Sequence, residues 1–143
     1  MNTLDQGFTH IAIPVSNIDA SLAFYRKYAQ MRPVHRREGA PGKEVAWITD
    51  GTRPFVIVLI GGNEVPHPFS WPAHIGIAVS SREEVDRLAA EAKREGCLEG
   101  GPEQRSEVVG YIAWLHDPDG HTVEVSYGQK VAFTVEGEPH AQQ

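Results

Sequence analysis

Two histidines and one glutamate have the residue types and the setting of a metal site. His10 and His74 begin two copies of a repeated segment, His10–Ser16 and His74–Ser80, and five of the seven positions are identical. Glu124 lies between valines, where an unpaired carboxylate would be costly to desolvate. Neutral imidazole and carboxylate are ligands for non-haem Fe(II), Mn(II) and catalytic Zn(II). The three residues therefore predict a metal site of nitrogen and oxygen donors.

Strand alternation predicts that these side chains point away from the core. In the first repeat Ile11, Ile13 and Val15 share one face, and amphipathic helices are the available cover for it. The histidines must then lie on the other face. In the last strand, Glu124 alternates with valines in the same way. A single strand histidine is more often a core or surface residue, but two at equivalent positions favour a metal site. The other histidines lack this support.

The repeat divides the chain into two similar halves, residues 8–62 and 72–128, followed by a tail, 129–143. Each half is predicted to be β-α-β-β-β. Capping-box spacings at Ser16 and Ser81 predict helices that end near Tyr28 and Glu95, and Gly96 is a plausible C-cap. Further strands are expected around 33–37, 43–49, 54–60, 98–99, 108–116 and 121–127, with a turn at 117–120. Val131–Val135 alternates enough to add a strand or a dimer contact.

Composition bounds the class of protein. The chain has 143 residues and a net charge of -6, from 13 Lys and Arg against 19 Asp and Glu. The acidic balance argues against a nucleic-acid-binding protein. No apolar run approaches the length of a membrane span, and the N-terminus lacks signal-peptide blocks, so we expect a cytoplasmic protein. The single cysteine, Cys97, excludes a disulfide framework.

The chain resembles the vicinal oxygen chelate superfamily, also called the glyoxalase, bleomycin-resistance and dioxygenase family, over residues 8–128. The matching stretches are Phe8–Ile13, Ser21–Tyr25, Ala73–Val79 and Asp117–Glu124. The resemblance implies a single α+β domain of two βαβββ modules that enclose a metal-binding cavity. It places the metal ligands at His10, His74 and Glu124. Fe(II) or Mn(II) is favoured, and Zn(II) or Ni(II) would also fit. It further implies a small-molecule substrate and a homodimer, with modules paired within one chain or between two.

One departure from the family pattern bears on the reaction. Glyoxalase I-like members have a fourth ligand on the last strand of the first module. Aligning the two repeats places Val58 at that position, as the equivalent of Glu124 in the second module. Because valine cannot bind metal or move a proton, glyoxalase I isomerisation is disfavoured. Extradiol-type ring cleavage is the first choice, and the alternative is fosfomycin-type thiol transfer or a glyoxalase-like lyase reaction. A ligand-sequestering protein of the bleomycin-resistance type, without turnover, is the non-enzymatic alternative.

Residues beyond the ligands are expected to shape the site. If His116 pairs with His121, Ala113 lies opposite Glu124 and Tyr111 shares its face, where it could orient a substrate oxygen or form an aromatic wall. His67 and His116 are the candidates for a catalytic histidine. Alternation places Trp47 and Trp114 on the helix side of the sheets. Trp71 and Phe69, in a proline-rich linker, are expected at the cavity rim.

Overall fold

The computed structural model describes residues 4–137, which form two four-stranded sheets and three helices. The elements are β1 (His10–Pro14), α1 (Ile18–Ala29), β2 (Arg32–Arg37), β3 (Glu44–Thr49), β4 (Val56–Gly61), β5 (Ile75–Ala78), α2 (Arg82–Glu95), β6 (Leu98–Gln104), β7 (Tyr111–His116), β8 (Thr122–Tyr127) and α3 (Val131–Glu136). The order βαβββ therefore occurs twice, and the predicted α+β fold with two such modules is confirmed.

The chain folds as two compact units. The first runs to Pro68 and also includes Asp117–Gly120, and the second contains Phe69–His116 and the chain from His121 onward. The turn between β7 and β8 thus belongs by its contacts to the first unit, although the sequence placed it inside the module 72–128.

The first unit has the strand order β1-β4-β3-β2, in which β1 and β4 are parallel and the other pairs are antiparallel. One face of this sheet is apolar and covered. Its buried residues, together with those of α1, include Ile13, Ala46, Ile48, Ile57, Leu59, Tyr25 and Ala29. His10 and Ala12 alternate with Ile11 and Ile13 and so lie on the opposite face, as predicted.

The helix α1 begins one residue later than its capping pattern suggested. Its N-cap is Asn17, whose side-chain oxygen accepts a hydrogen bond of 3.0 Å from the backbone N–H of Ala20. The prediction of Ser16 as the cap is wrong. Asparagine is as effective as serine at this position because its carbonyl oxygen reaches the same unpaired amides.

The second unit repeats this design, with the strand order β5-β8-β7-β6 and a parallel β5–β8 pair. Its core joins α2 to the covered face of the sheet and includes Val85, Leu88, Ala92, Ala113, Leu115, Val123 and Val125. Ser81 caps α2 by accepting from the N–H of Glu84, and Gly96 ends it at a φ of 78°, so both predicted caps are confirmed.

The β7–β8 turn is held by a buried tyrosine of α1. The Tyr25 hydroxyl donates a 2.8 Å hydrogen bond to Oδ2 of Asp117, and the backbone N–H of Ser16 donates to Asp119. Tyr25 is fully buried and Asp117 nearly so. Burial, and then the charge of Asp117, raise the pKa of Tyr25 far above its usual range. The phenol therefore stays protonated and remains a donor.

The segment after β8 differs from its prediction. Val131–Val135, expected to add a strand or a dimer contact, lies in the short helix α3 and not in a strand. Its apolar side chains are exposed, Val135 by 80%. Period-two alternation over so few residues does not distinguish a strand from a helix without a partner strand to test it. The polar tail beyond Gly137 lies outside the described residues. In residues 4–137, no helix is long and apolar enough to span a membrane.

Candidate metal centre and ligand site

Glu124 is a buried carboxylate with little to balance its charge. It is 5% exposed in the middle of β8, and among residues 4–137 the hydrogen bond the structure gives it is a 3.5 Å contact from the Gln129 side-chain amide, at the limit of hydrogen-bonding distance. A carboxylate has room for several more donors. Because an unpaired buried charge is strongly unfavourable, the environment of Glu124 fits a bound cation.

Gly76 provides open space directly beside this carboxylate. It pairs with Glu124 across the parallel β5–β8 strands, and a Cβ atom at residue 76 would lie 3.7 Å from Glu124 Oε2. The other neighbour in register is Trp114, on β7. We call the side of this sheet that carries Gly76, Trp114 and Glu124 the Glu124 face. Directly paired residues lie on the same side of a sheet, so these three residues form one row across it, with Glu124 in the middle.

His74 lies two residues before Gly76 and is held in one ring orientation. Its Nδ1 is 2.8 Å from the backbone carbonyl oxygen of Pro72, and the Trp71 ring stacks on the imidazole at 5.0 Å with an interplanar angle of 18°. A carbonyl oxygen can only accept, so Nδ1 must carry the proton. Nε2 is then the ring nitrogen that is left to bind a ligand. This is the usual second interaction of a metal-binding histidine.

His10 occupies the equivalent place in the first unit, at the start of β1. Its Nδ1 is 2.9 Å from the Thr9 hydroxyl, and its side chain is exposed. The register of this sheet pairs Ala12 with Val58, as the second sheet pairs Gly76 with Glu124. The structure therefore confirms that Val58 stands where the second unit has its carboxylate.

The predicted ligands are divided between the units, with His10 in the first and His74 and Glu124 in the second. Within residues 4–137 of one chain, no three His, Cys, Asp or Glu side chains form a group that could hold a metal. Joint ligation by the three residues therefore stays a prediction. The donor atoms themselves fit a divalent ion, because Nε2 of His74 and the Glu124 carboxylate are the required types.

Three further polar groups on the Glu124 face have no hydrogen-bond partner within the described part of the chain. They are the hydroxyls of Thr122 and Ser126, each 1% exposed, and the indole N–H of Trp114. The two hydroxyls flank Glu124 at the positions two residues away, so alternation puts them on its side of the sheet. Buried polar groups are rarely left unpaired in folded proteins. Their clustering around Glu124 is typical of a site that a ligand completes.

The β7–β8 pairing differs by one residue from its prediction, and this moves the aromatic residues. His116 pairs with Thr122, so Trp114, and not Ala113, lies opposite Glu124. Trp114 is therefore on the Glu124 face, and the prediction that it faces the helix is wrong. Trp47 is likewise misplaced by the prediction, since it pairs with Val58 on the His10 side of the first sheet and is 41% exposed.

The same shift removes Tyr111 from the site. Tyr111 pairs with Tyr127 on the side that faces α2, and its hydroxyl donates a 2.5 Å hydrogen bond to Asp86. This hydrogen bond raises the pKa of Tyr111. The placement of Tyr111 beside Glu124 is therefore wrong, because a one-residue change of register moves every side chain to the other face. Tyr111 is not part of the site we propose.

His116 gains a position that the sequence could not assign to it. Because it pairs with Thr122, it lies on the Glu124 face, diagonal to Glu124 itself. His121, in contrast, was expected in a loop or at the surface but is fully buried, where its Nδ1 accepts a 2.9 Å hydrogen bond from the backbone of Phe69. His121 is therefore a structural residue of the second unit.

The positions of some groups around the site could not be predicted from any pattern in the sequence. The Pro72 carbonyl and the Gln129 amide meet their partners only through loop geometry. Trp114 could have been found from the correct hairpin register. Phe69, expected at a cavity rim, contacts His121 instead, with ring centroids 5.4 Å apart.

Comparison with known proteins agrees with this architecture. The family model of the Glyoxalase/Bleomycin resistance protein/Dioxygenase superfamily matches residues 7–125. An uncharacterized protein of Pseudomonas aeruginosa, PA2024, is 40% identical over 124 residues, which are 85% of this chain and 88% of that protein.

Solved structures show the same fold. A possible glyoxalase from Bacillus cereus has a TM-score of 0.66 at 25% identity, over 85% of this chain and 99% of its own. The fosfomycin resistance protein FosX from Listeria monocytogenes, in complex with Mn(II) and 1S,2S-dihydroxypropylphosphonic acid, has a TM-score of 0.68 at 18% identity, over 94% and 100%. The trypanothione-dependent glyoxalase I of Leishmania major has a TM-score of 0.70 at 21% identity, over 96% and 98%. The chain belongs to the Glyoxalase/Bleomycin resistance protein/Dioxygenase superfamily.

Proposed function

We propose that the protein is a divalent-metal enzyme in which His10, His74 and Glu124 hold one metal ion that binds a small oxygen-chelating substrate. The observation that carries this proposal is the buried Glu124 carboxylate, whose hydrogen bond from Gln129 is long and whose neighbour Gly76 leaves space beside it. Superfamily membership and the Mn(II) complex of FosX support it. A set of three protein ligands would leave up to about three positions for substrate atoms.

The bound metal supplies Lewis acidity, which polarises a substrate oxygen or lowers its proton affinity. The chain's own groups orient the reactants. Pro72 fixes the proton on Nδ1 of His74 and so keeps Nε2 available, and the Thr122 and Ser126 hydroxyls offer hydrogen bonds beside Glu124. His116 lies on the same face, diagonal to Glu124, and is suited to accept or return a substrate proton.

The reaction we propose first is extradiol-type ring cleavage of a catechol by O₂ with Fe(II). Both oxygen atoms of O₂ enter the ring-opened product, so no external reductant is consumed. The position of His116 favours this choice, because a base must remove a proton from the second catechol hydroxyl. Val58, in the place that corresponds to Glu124, disfavours a glyoxalase I isomerisation that needs a fourth ligand or base from the first unit.

The second candidate is opening of an epoxide with Mn(II), by a thiol or by water. The likeness to FosX favours it, since FosX was crystallised with Mn(II) and a dihydroxypropylphosphonic acid. At 18% identity this likeness shows the fold, so the reaction itself needs a direct assay.

We also propose that the protein is a homodimer. The exposed apolar side chains of α3, Val131, Phe133 and Val135, support a protein contact there. Sedimentation velocity should give the mass of two chains, and a Phe133→Ser variant should shift the equilibrium toward the monomer.

Metal binding is tested by elemental analysis of protein loaded with Fe(II), Mn(II) or Zn(II). We expect about one ion per chain, and loss of most of it in His10→Ala, His74→Ala and Glu124→Ala. His35→Ala is the matched control, because His35 is exposed and contacts Trp47. Metal content near zero in the wild type, or equal content in all variants, contradicts the proposed site.

The reaction is tested on the metal-loaded protein. The Fe(II) form is mixed anaerobically with a panel of catechols, and O₂ is then admitted. A yellow ring-opened product supports the dioxygenase. Absence of product, together with epoxide opening by the Mn(II) form, supports the second candidate. Tight binding of a ligand without product in either assay would instead indicate sequestration.

A further inference from the structure

Two tryptophans of the second unit form an aromatic corner next to the proposed metal ligands. The rings of Trp71 and Trp114 meet edge to face, with centroids 5.4 Å apart and an interplanar angle of 78°. Trp71 also stacks on His74, and Trp114 pairs in register with Glu124. The corner therefore touches or adjoins both ligands that the second unit would supply.

Trp114 is held in place by the neighbouring strand. Gly100 pairs with it across β6–β7, and a Cβ atom at residue 100 would approach the indole Cε3 to 3.2 Å. This contact would be tight, so glycine lets the ring lie over this strand without a small displacement. The Arg105 guanidinium lies 5.1 Å from the centroid of the same ring, at cation–π distance. The indole is therefore fixed before any ligand arrives.

The corner of Trp71 and Trp114 combines an exposed apolar ring with a buried polar group that lacks a partner. Trp71 is 53% exposed, which is unusual for so large an apolar side chain, and its neighbour's indole N–H is buried without a partner among residues 4–137. The Thr122 and Ser126 hydroxyls on the same face are also buried without a hydrogen-bond partner among residues 4–137. A ligand that satisfies all these groups has a flat apolar body for the indoles and oxygen atoms for the donors.

We propose that the corner of Trp71 and Trp114 is the specificity-determining surface of the site and that it receives the aromatic ring of a substrate whose adjacent oxygens face Glu124. This rests on the proposed metal-binding function and adds the two residues that select for an aromatic ring beside the chelating oxygens. The Trp114 N–H hydrogen-bonds an oxygen of that ligand. Neither tryptophan takes part in the chemical step.

The test compares two chelators with the same head group, benzohydroxamate and acetohydroxamate, on the Zn(II)-loaded protein by calorimetry. The wild type should bind the aromatic probe more tightly, by about tenfold or more, as expected for a ring placed against two indoles. Trp71→Leu and Trp114→Leu should each lower this ratio severalfold, because benzohydroxamate loses more affinity than acetohydroxamate in both variants. Trp114→Phe, which keeps a ring but loses the N–H, should weaken both probes.

The matched control is Tyr111→Phe, on the same strand as Trp114 but on the side that faces α2. It should retain the wild-type ratio. The exposed Trp71 keeps the test decisive if a Trp114 variant folds poorly. Equal affinity for both probes in the wild type, or a ratio that neither tryptophan variant changes, overturns the aromatic corner while metal binding stands. Failure of the wild type to bind Fe(II), Mn(II) and Zn(II) overturns the proposed function first, and this proposal with it.

Discussion

Gly76 and Glu124 face each other across the parallel β5–β8 pair, and a Cβ atom on residue 76 would lie 3.7 Å from Glu124 Oε2. The equivalent pair in the first unit is Ala12 and Val58, two apolar residues. The backbone pairing is thus the same in both units. Only the second unit has a carboxylate there, and its partner is glycine, the residue that leaves it most space.

A branched side chain at residue 76 should therefore damage the metal site more than the fold. Gly76→Val places methyl groups against the Glu124 carboxylate, and we expect metal affinity to fall by about 10- to 100-fold, as for other residues that position a ligand. Gly76→Ala, whose Cβ makes only an ordinary contact, should keep most of the affinity. Metal titration and thermal unfolding measure the two effects separately. Equal metal affinity in the wild type and Gly76→Val would show that the carboxylate binds nothing.

The Glu124 carboxylate should stabilise the metal-loaded protein and destabilise the metal-free one. Glu124→Gln removes a buried charge whose hydrogen bond from Gln129 is long, so in EDTA we expect the free energy of unfolding to rise by about 1 kcal/mol. With metal present the order should reverse, since the amide loses the ion. Urea denaturation with and without metal gives both values. Glu99→Gln, at an exposed position, is the control and should change neither. A metal-free Glu124→Gln protein less stable than the wild type would contradict the assignment.

His116 should be needed for turnover and not for metal binding. It lies on the Glu124 face opposite Thr122, which suits proton transfer to a substrate on that face. We expect His116→Gln to lower kcat by about 10²- to 10⁴-fold, the usual contribution of a general acid or base, with metal content unchanged. Steady-state assays with elemental analysis of the same samples provide the measurement. Tyr111→Phe should retain wild-type kcat, and a larger loss there than in His116→Gln would reverse the two assignments.

The hairpin register shows where prediction from this sequence succeeds and where it ends. The repeat located the strands that carry His10, His74 and Glu124 because alternation and identity agree over whole segments. The β7–β8 pairing depends instead on one residue of turn length, and His121, which is buried and outside the ladder, lengthens the turn. Because of that one extra residue, Trp114 and Tyr111 each lie on the face opposite to the one predicted. The Pro72 carbonyl and the Gln129 amide were not predictable, because long-range packing places them and no local pattern does.

The Tyr25–Asp117 hydrogen bond should give the protein a distinct loss of stability in alkali. The pKa of Tyr25 is raised by burial and by Asp117, so above pH 10 the unfolded chain releases a proton that the folded chain keeps. The free energy of unfolding should then fall by about 1.4 kcal/mol per pH unit from this residue alone. Tyr25→Phe should remove that contribution to the slope and, at neutral pH, lower the stability by about 1–3 kcal/mol, because Oδ2 of Asp117 loses the hydrogen bond from the tyrosine hydroxyl. Urea denaturation from pH 7 to 11 gives both quantities, with Tyr127→Phe, an exposed tyrosine, as the control. An unchanged alkaline slope in Tyr25→Phe would mean that the buried phenol is not the group that titrates.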